Sequence, residues 1–325
     1  MLFTTERLTK DISKAITKAE FGKEPIELYE PIQYIMDLGG KRMRPLLTLL
    51  SNYIFEEDCT KVMNAAIAVE VFHNFTLMHD DIMDKAPLRR GKATVHEKWN
   101  SNIAILSGDV MLVKAYEQFM SVEEKHLKRV LDRFNETAAG VCEGQQFDMN
   151  FESLDTISVD EYINMIRLKT AVLLGFSMEL GGILGNADDK SCEHLRTVGI
   201  SAGIGFQLKD DLLDVYGDAA TFGKKVGGDI VANKKTFLLI RALEKAEGKT
   251  KKELEKLLSD KTISDKAKIE GVTNIYNQLE IKEETETLIQ EHFDKAIESL
   301  GKVKGSIFRK HYIKDYLLAL IGREQ

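Results

Sequence analysis

Phe75-Thr76-Leu77-Met78-His79-Asp80-Asp81-Ile82-Met83-Asp84 decides how this chain reads: an apolar helical run that ends in three aspartates. A near copy of that ending returns at Asp210-Asp211-Leu212-Leu213-Asp214, again inside an apolar run. The first and last aspartate of each motif stand at i and i+4, so they share a helix face about 5–6 Å apart at Cβ. Like charges at that spacing destabilise a helix by roughly 0.2–0.5 kcal/mol per pair. A cation offsets them, and hard oxygen ligands on a rigid helix suit Mg²⁺, which keeps several waters and shares substrate phosphates. Pro87 disfavours helical geometry at Ala86 and stops the first helix just past Asp84. Gly217 sits where a C-terminal cap would end the second. Both clusters therefore fall at helix C-termini, where the macrodipole favours cations. Together they read as a two-walled metal–phosphate site.

Working outward, amphipathic helical spacing runs through nearly every segment and strand signals are scarce. The spacing predicts helices at roughly 4–21, 26–38, 43–56, 60–84, 97–120, 123–150, 158–185, 189–216, 230–247, 250–259, 264–297 and 303–322. Stretches such as Ala65-Ala66-Ile67-Ala68-Val69 and Ala171-Val172-Leu173-Leu174 are apolar around the whole circumference and belong at the centre of a bundle. The last hundred residues are Lys/Glu-rich amphipathic helices, read as an outer layer with solvated charge. No Pro/Gly/Ser-rich linker interrupts the chain, and none of its four prolines follows Pro87. The expectation is one all-α domain over residues 1–325, a single large helical bundle.

Composition narrows the function classes. With 43% hydrophobic residues in 325, a substantial core is available. A formal charge of −7 argues against nucleic acid, whose binders show a basic patch. An anionic substrate must then be gripped locally, by metal and selected cations. Cys59, Cys142 and Cys192 are isolated, lack CxxC spacing and read as buried thiols in a reducing cytosol. The N-terminus has no apolar signal-peptide core, and no 18-residue apolar stretch predicts a membrane span.

A lone aspartate motif is weak; its neighbours strengthen it. Gly39-Gly40-Lys41-Arg42-Met43-Arg44-Pro45 brings three cations to a glycine-flanked turn ahead of a helix, where backbone N–H groups favour an anion. Arg89-Arg90-Gly91 follows the first acidic motif at once. Cations beside bound metal make sense if a diphosphate lies between them. Lys169-Thr170 sits in an apolar helix, and Lys224 follows the second motif in a glycine-containing loop.

From Gly39 to Lys234 the chain resembles the trans-prenyltransferases, the all-trans isoprenyl diphosphate synthases. The resemblance rests on GGKRxRP, DDIMDxxxxRRG, Gly144-Gln145, Lys169-Thr170, GxxFQxxDDxxD and GKxxGxD taken together. It implies an all-α bundle with a central cavity lined by two aspartate-rich helices. It also implies Mg²⁺-dependent head-to-tail condensation of isopentenyl diphosphate with an allylic prenyl diphosphate, with about three Mg²⁺ per active site. Asp80, Asp84 and Asp210 match metal-ligating carboxylates, with Asp81, Asp211 and Asp214 acting directly or through water. Arg89, Lys169, Lys224 and Lys234 match cations that hold the allylic diphosphate. Lys41, Arg44, His73 and Arg90 match the grip on isopentenyl diphosphate, and Thr170 and Gln207 match polar groups near the reacting carbon. A homodimer is implied, with the apolar helix at 97–120 as its candidate interface.

Product length follows from the same resemblance. Phe75 lies five residues before Asp80, about 7.5 Å along the axis at 1.5 Å per residue. An aromatic there with Thr76 beside it resembles geranylgeranyl (C20) diphosphate synthases; paired aromatics are more typical of farnesyl (C15) enzymes. Phe72 lies one turn beyond as a second stop, although both rings also read as core aromatics. His79 reads as a helix-terminal hydrogen-bonding residue. A terpene cyclase would need a different second metal motif, and a non-catalytic subunit of a heteromeric synthase would show eroded aspartates or arginines. A di-iron bundle would want Glu-x-x-His pairs.

Overall fold

The computed structural model describes residues 5–217 and 226–322, and most of them are helical. Helices α1 (Thr5–Lys18), α2 (Ile26–Asp37), α3 (Met43–Tyr53) and α4 (Met63–Met83) come first. A hairpin of β1 (Leu88–Arg89) and β2 (Lys92–Ala93) follows, paired antiparallel with Arg89 opposite Lys92. Then come α5 (Val95–Lys98), α6 (Ser101–Phe119), α7 (Glu124–Glu152), α8 (Val159–Ile166), α9 (Val172–Leu184) and α10 (Asp189–Tyr216). Among the described residues this hairpin is the only sheet. The expected all-α class holds.

The chain divides into two compact units: Met1–Thr137 with Phe176–Arg196 and Lys302–Ile313, and Ala138–Gly175 with Thr197–Gly301 and Lys314–Gln325. In the first, α4 is the central element and packs against α1, α2, α3 and α6. Residues 65–72 are buried around its full circumference, as their uniform apolarity predicts. Helix α6 buries the small residues Ala104, Ser107, Gly108 and Ala115; Gly108 faces the His79 ring of α4, and Ser107 donates to the Leu28 carbonyl of α2 at 2.9 Å. At the base of this unit Phe134 gathers Phe72, Phe119 and Phe176 at ring centroid distances of 5.0, 4.8 and 5.7 Å.

In the second unit the Lys/Glu-rich helices behave as expected. Ile281–Lys302 buries Ile281, Thr285, Ile289, Phe293, Ala296 and Leu300, one stripe at helical spacing, and leaves its charges outside. Gly248–Ser259 buries Leu254 alone and packs on Asp265–Gln278.

Several predicted boundaries move, each at a residue whose conformation spacing does not report. The helix expected at 264–297 is two, Asp265–Gln278 and Ile281–Lys302, broken where Glu280 takes a left-handed φ of 57°. The helix expected at 230–247 is Gly228–Val231 and Phe237–Lys245, parted beside Asn233 with φ 53°. The helix expected from 97 begins at Ser101, because Asn100 accepts the Ile103 N–H at 2.9 Å and caps α6. No helix among the described residues is long and apolar enough to cross a membrane. Cys59 and Cys192 are buried as expected, but Cys142 is exposed, because it falls on the outer side of α7, between Val141 and Glu143.

Candidate active site

In the first unit the end of α4 organises the site. Lys85 takes a left-handed φ of 51°, its N–H reaches the Ile82 carbonyl at 3.3 Å, and the Ala86 N–H reaches the Asp81 carbonyl at 2.9 Å. This is a Schellman cap with lysine where glycine is usual. It ends the helix at Asp84 and leaves Asp80 and Asp84 on one face, one turn apart, at the negative end of the macrodipole. His73 lies two turns earlier on that same face.

Asp81 points elsewhere and is buried at 2% exposure. Arg89 closes on it from β1, with Nε 2.9 and 2.8 Å from its two oxygens and Nη2 at 2.7 Å. The tight β1–β2 turn then turns the chain back with left-handed residues at both central positions, Arg90 (φ 54°) and Gly91 (φ 75°). It delivers Arg90, whose Nη1 donates to the Gly39 carbonyl. Gly39 and Gly40 carry φ of 81° and 122°, and a Cβ on Gly40 would stand 2.8 Å from the Arg90 guanidinium carbon. Glycine at 40 is therefore what lets Arg90 approach.

The three cations of the 39–45 segment have different fates. Arg42 is buried, donating through Nη1 to Glu70 at 2.6 Å and through Nη2 to the Met36 carbonyl at 2.5 Å. It pins α2 and α4 to the start of α3, and truncating such a buried pair costs about 3–5 kcal/mol. Lys41 is exposed and Arg44 half-buried. His73 keeps some solvent contact, yet burial first, then the charges of Arg44, Arg90, Arg89 and Arg42, hold its pKa well below the usual 6.5. A neutral imidazole beside four guanidiniums gives this end of the unit a charge character that suits an anion.

In the second unit the acidic end of α10 is built differently around the same plan. Asp211, the middle aspartate, is again buried, at 4% exposure. It accepts from the Tyr162 hydroxyl and from Gln207 Nε2 at 3.0 Å. Burial, the largest cause, raises its pKa to about 7, partly opposed by Lys234. Gln207 Oε1 accepts from Thr170 Oγ1 at 3.2 Å, so Thr170, Gln207 and Asp211 form one chain of hydrogen bonds. Asp214 accepts the Asp229 N–H at 2.9 Å from the start of Gly228–Val231. Lys169 Nζ lies 2.5 Å from Asp148 Oδ2.

Lys169 and Thr170 stand in a π-helical turn, Arg167–Ala171, between α8 and α9. Such single turns recur where side chains must be re-aimed at functional positions. The crossing of α7 needs Gly144, because a Cβ there would lie 2.2 Å from the Lys169 backbone nitrogen. That gives the Gly144-Gln145 motif a steric cause.

The structure thus gathers His73, Arg44, Arg89, Arg90, Asp80, Asp81 and Asp84 in one unit, and Lys169, Thr170, Gln207, Asp210, Asp211, Asp214 and Lys234 in the other. Lys224 lies outside the described residues. Asp148, Tyr162 and Asp229 were missed as site residues; the only signals were Asp148 one turn past Gly144 and Asp229 closing the GKxxGxD motif. Thr76 donates its hydroxyl to the His73 carbonyl at 2.8 Å, and Phe75 is half-buried against Phe72.

The donor set fits Mg²⁺. Among the described residues no three carboxylate, imidazole or thiol groups converge into a ready cage. Mg²⁺ is usually held by one or two carboxylates plus substrate phosphates rather than by such a cage. Asp80 with Asp84, all oxygen and at a helix C-terminus, is that kind of partial shell.

The His73 environment has a consequence for stability. A base whose folded pKa lies below its unfolded value binds fewer protons when native, so its contribution is whole above about pH 6.5 and is lost as pH falls toward the folded value. His73→Gln removes that loss. Chemical denaturation at pH 7.5 and 5 should show a smaller drop for the variant than for wild type; equal drops would place His73 outside the arginine cluster.

The chain matches the polyprenyl synthetase family over residues 25–277. It is 41% identical over 223 residues to a geranylgeranyl diphosphate synthase of Methanosarcina mazei, covering 68% of this chain and 69% of that one. A geranylgeranyl diphosphate synthase of Saccharolobus solfataricus is 37% identical over 280 residues, covering 85% and 84%. A crystal structure of a geranylgeranyl pyrophosphate synthase superposes with a TM-score of 0.93 at 42% identity, covering 100% of both chains. This chain belongs to the polyprenyl synthetase family.

Proposed function

We propose that this enzyme condenses isopentenyl diphosphate with an allylic diphosphate to make a short-chain all-trans prenyl diphosphate, and that the product is geranylgeranyl diphosphate. The observation that carries the reading is α4 itself. One helix sets Asp80 and Asp84 on the same face as His73, and His73 lies in a cluster of arginines suited to a diphosphate. The family match runs through both compact units, which supports one catalytic domain across residues 1–325.

Cleaving an allylic C–O bond leaves concentrated negative charge on the diphosphate and an allylic carbocation. Mg²⁺, when bound, supplies the Lewis-acid stabilisation of that leaving group. Asp80, Asp84 and Asp210 would hold it, with Asp211 and Asp214 contributing directly or through water. Lys169, Lys224 and Lys234 stabilise the departing diphosphate as its charge develops, the kind of electrostatic contribution that is usually largest. Arg89, tied to Asp81 through Nε and Nη2, still offers Nη1 to the same anion. Lys41, Arg44, Arg90 and neutral His73 hold isopentenyl diphosphate so that its double bond attacks the cation. Thr170 and Gln207, bonded to each other at 3.2 Å, are the polar groups assigned to the neighbourhood of the reacting carbon. The attack leaves a tertiary cation on the isopentenyl unit; the carbon beside it loses a proton to the departing diphosphate and the C–H electron pair becomes the new allylic double bond, so no protein nucleophile is needed.

We also propose a cytoplasmic homodimer, joined through α6. Leu106 and Val113 on that helix and Met120 at its C-cap recur every seven residues and are 57%, 56% and 61% exposed. An apolar stripe of this kind is costly in water unless covered.

Activity should vanish with chelation of Mg²⁺. Asp80→Ala and Asp210→Ala should each lower kcat by several orders of magnitude in a labelled isopentenyl diphosphate assay, with circular dichroism unchanged. Wild-type turnover in either variant contradicts the metal assignment.

Phe75→Ala should lengthen the product by at least one isoprene unit, read by mass spectrometry of dephosphorylated products. An active variant with an unmoved distribution removes Phe75 from that role.

Light scattering at micromolar concentration should give twice the chain mass, and Leu106→Asp with Val113→Asp should shift it toward the monomer. A wild-type monomer with full activity overturns the dimer.

A further inference from the structure

His79 stands immediately before the first acidic motif and has no role in the reading above. Its ring meets Phe75 edge-on, with centroids 4.8 Å apart and planes at 65°. Phe75 leans in turn on Phe72 at 5.6 Å, and Phe72 meets Phe134 edge-on at 5.0 Å. Four rings therefore stack into a ladder within one unit. The lower end is packed into the core: Phe72 and Phe134 are buried, and Phe134 meets Phe119 and Phe176. Phe75 is the half-buried rung.

The upper end is tethered by α6. His79 Nε2 lies 3.2 Å from the Ile105 carbonyl oxygen, which can only accept, so Nε2 carries the proton. The ring fits there only because residue 108 is glycine: a Cβ on Gly108 would lie 2.2 Å from His79 Nε2. Gly108 has no left-handed φ to explain it; it is buried within α6, where glycine costs helix stability. What it provides is the seat for His79.

We propose that His79 is a positioning residue that sets product length by bracing Phe75, and that Gly108 is the seat that makes the brace possible. The inference rests on the reading of Phe75 as the stop for the growing tail. A half-buried aromatic with one side unsupported exchanges rotamers quickly and yields to an incoming chain. Flanked by His79 above and Phe72 below, Phe75 keeps one orientation. An edge-on aromatic contact biases such a rotamer equilibrium by about two- to tenfold.

The test compares product distributions of the full-length enzyme with one allylic primer, for wild type, Phe75→Ala, His79→Ala, His79→Gln, Gly108→Ala and the Gly108→Ala/His79→Ala double variant. His79→Ala should raise the ratio of the next longer product to the wild-type product by about two- to tenfold, while KM for isopentenyl diphosphate stays within about twofold. His79→Gln keeps an N–H for Ile105 but no ring, and should behave like His79→Ala. Gly108→Ala should change the ratio at least about twofold in the wild-type background and not at all once His79 is alanine, since it acts through that ring. If Phe75→Ala shifts products while both His79 variants keep the wild-type ratio, the brace is wrong and the stop stands. An equal Gly108→Ala effect in both backgrounds also overturns it, assigning the shift to helix spacing. If Phe75→Ala itself moves nothing, the stop and the brace fall together.

Discussion

Burying the middle carboxylate of each acidic motif is the constraint on which the rest of the site depends. Asp81 and Asp211 occupy the same position in their motifs, and both are nearly inaccessible to solvent. A buried, unmatched carboxylate costs several kcal/mol, so each must be met by donors. Asp81 is met by a bidentate arginine, and Asp211 by a tyrosine hydroxyl and a glutamine amide. Meeting that demand fixes the rotation of α4 and of α10 about their own axes. With a helix's rotation fixed, its outer aspartates can point only one way. The outer carboxylates of each motif are thus oriented by the inner one, which need not touch substrate at all.

The two solutions differ in electrostatic character. Asp81 pairs with a full positive charge. Asp211 is held by neutral donors, and burial raises its pKa to about 7. The pattern of three aspartates is the same in both, but the middle carboxylate of the first is met by a charged donor in direct contact and that of the second by neutral donors, with the Lys234 charge opposing the rise.

Backbone conformation supplies the remaining precision. Gly39, Gly40, Arg42, Lys85, Arg90 and Gly91 all adopt positive φ within the first unit. For the non-glycine residues among them, this costs about 1–2 kcal/mol each. They sit where the chain must turn sharply to bring cations to the α4 face. The strain is tolerated because the side chains it delivers are locked: Arg42 to Glu70 and Met36, and Arg90 to the Gly39 carbonyl.

The helical class, the apolar centre of α4 and the chemistry of paired aspartates with nearby cations were all legible in the amino-acid order. They rest on local periodicity and residue type, which a chain carries without folding. The stop after Asp84 was legible too, through Pro87, although the cap that forms it uses Lys85 rather than glycine. The split at Glu280 was not, because nothing in the spacing announces a left-handed residue in a charged helical run. Nor could sequence separate Arg42 from Lys41 and Arg44, or Asp81 from Asp80 and Asp84. Only tertiary structure decides which of several identical charges is buried, because burial depends on a partner arriving from elsewhere in the chain: Glu70 for Arg42, Arg89 for Asp81 and Tyr162 for Asp211.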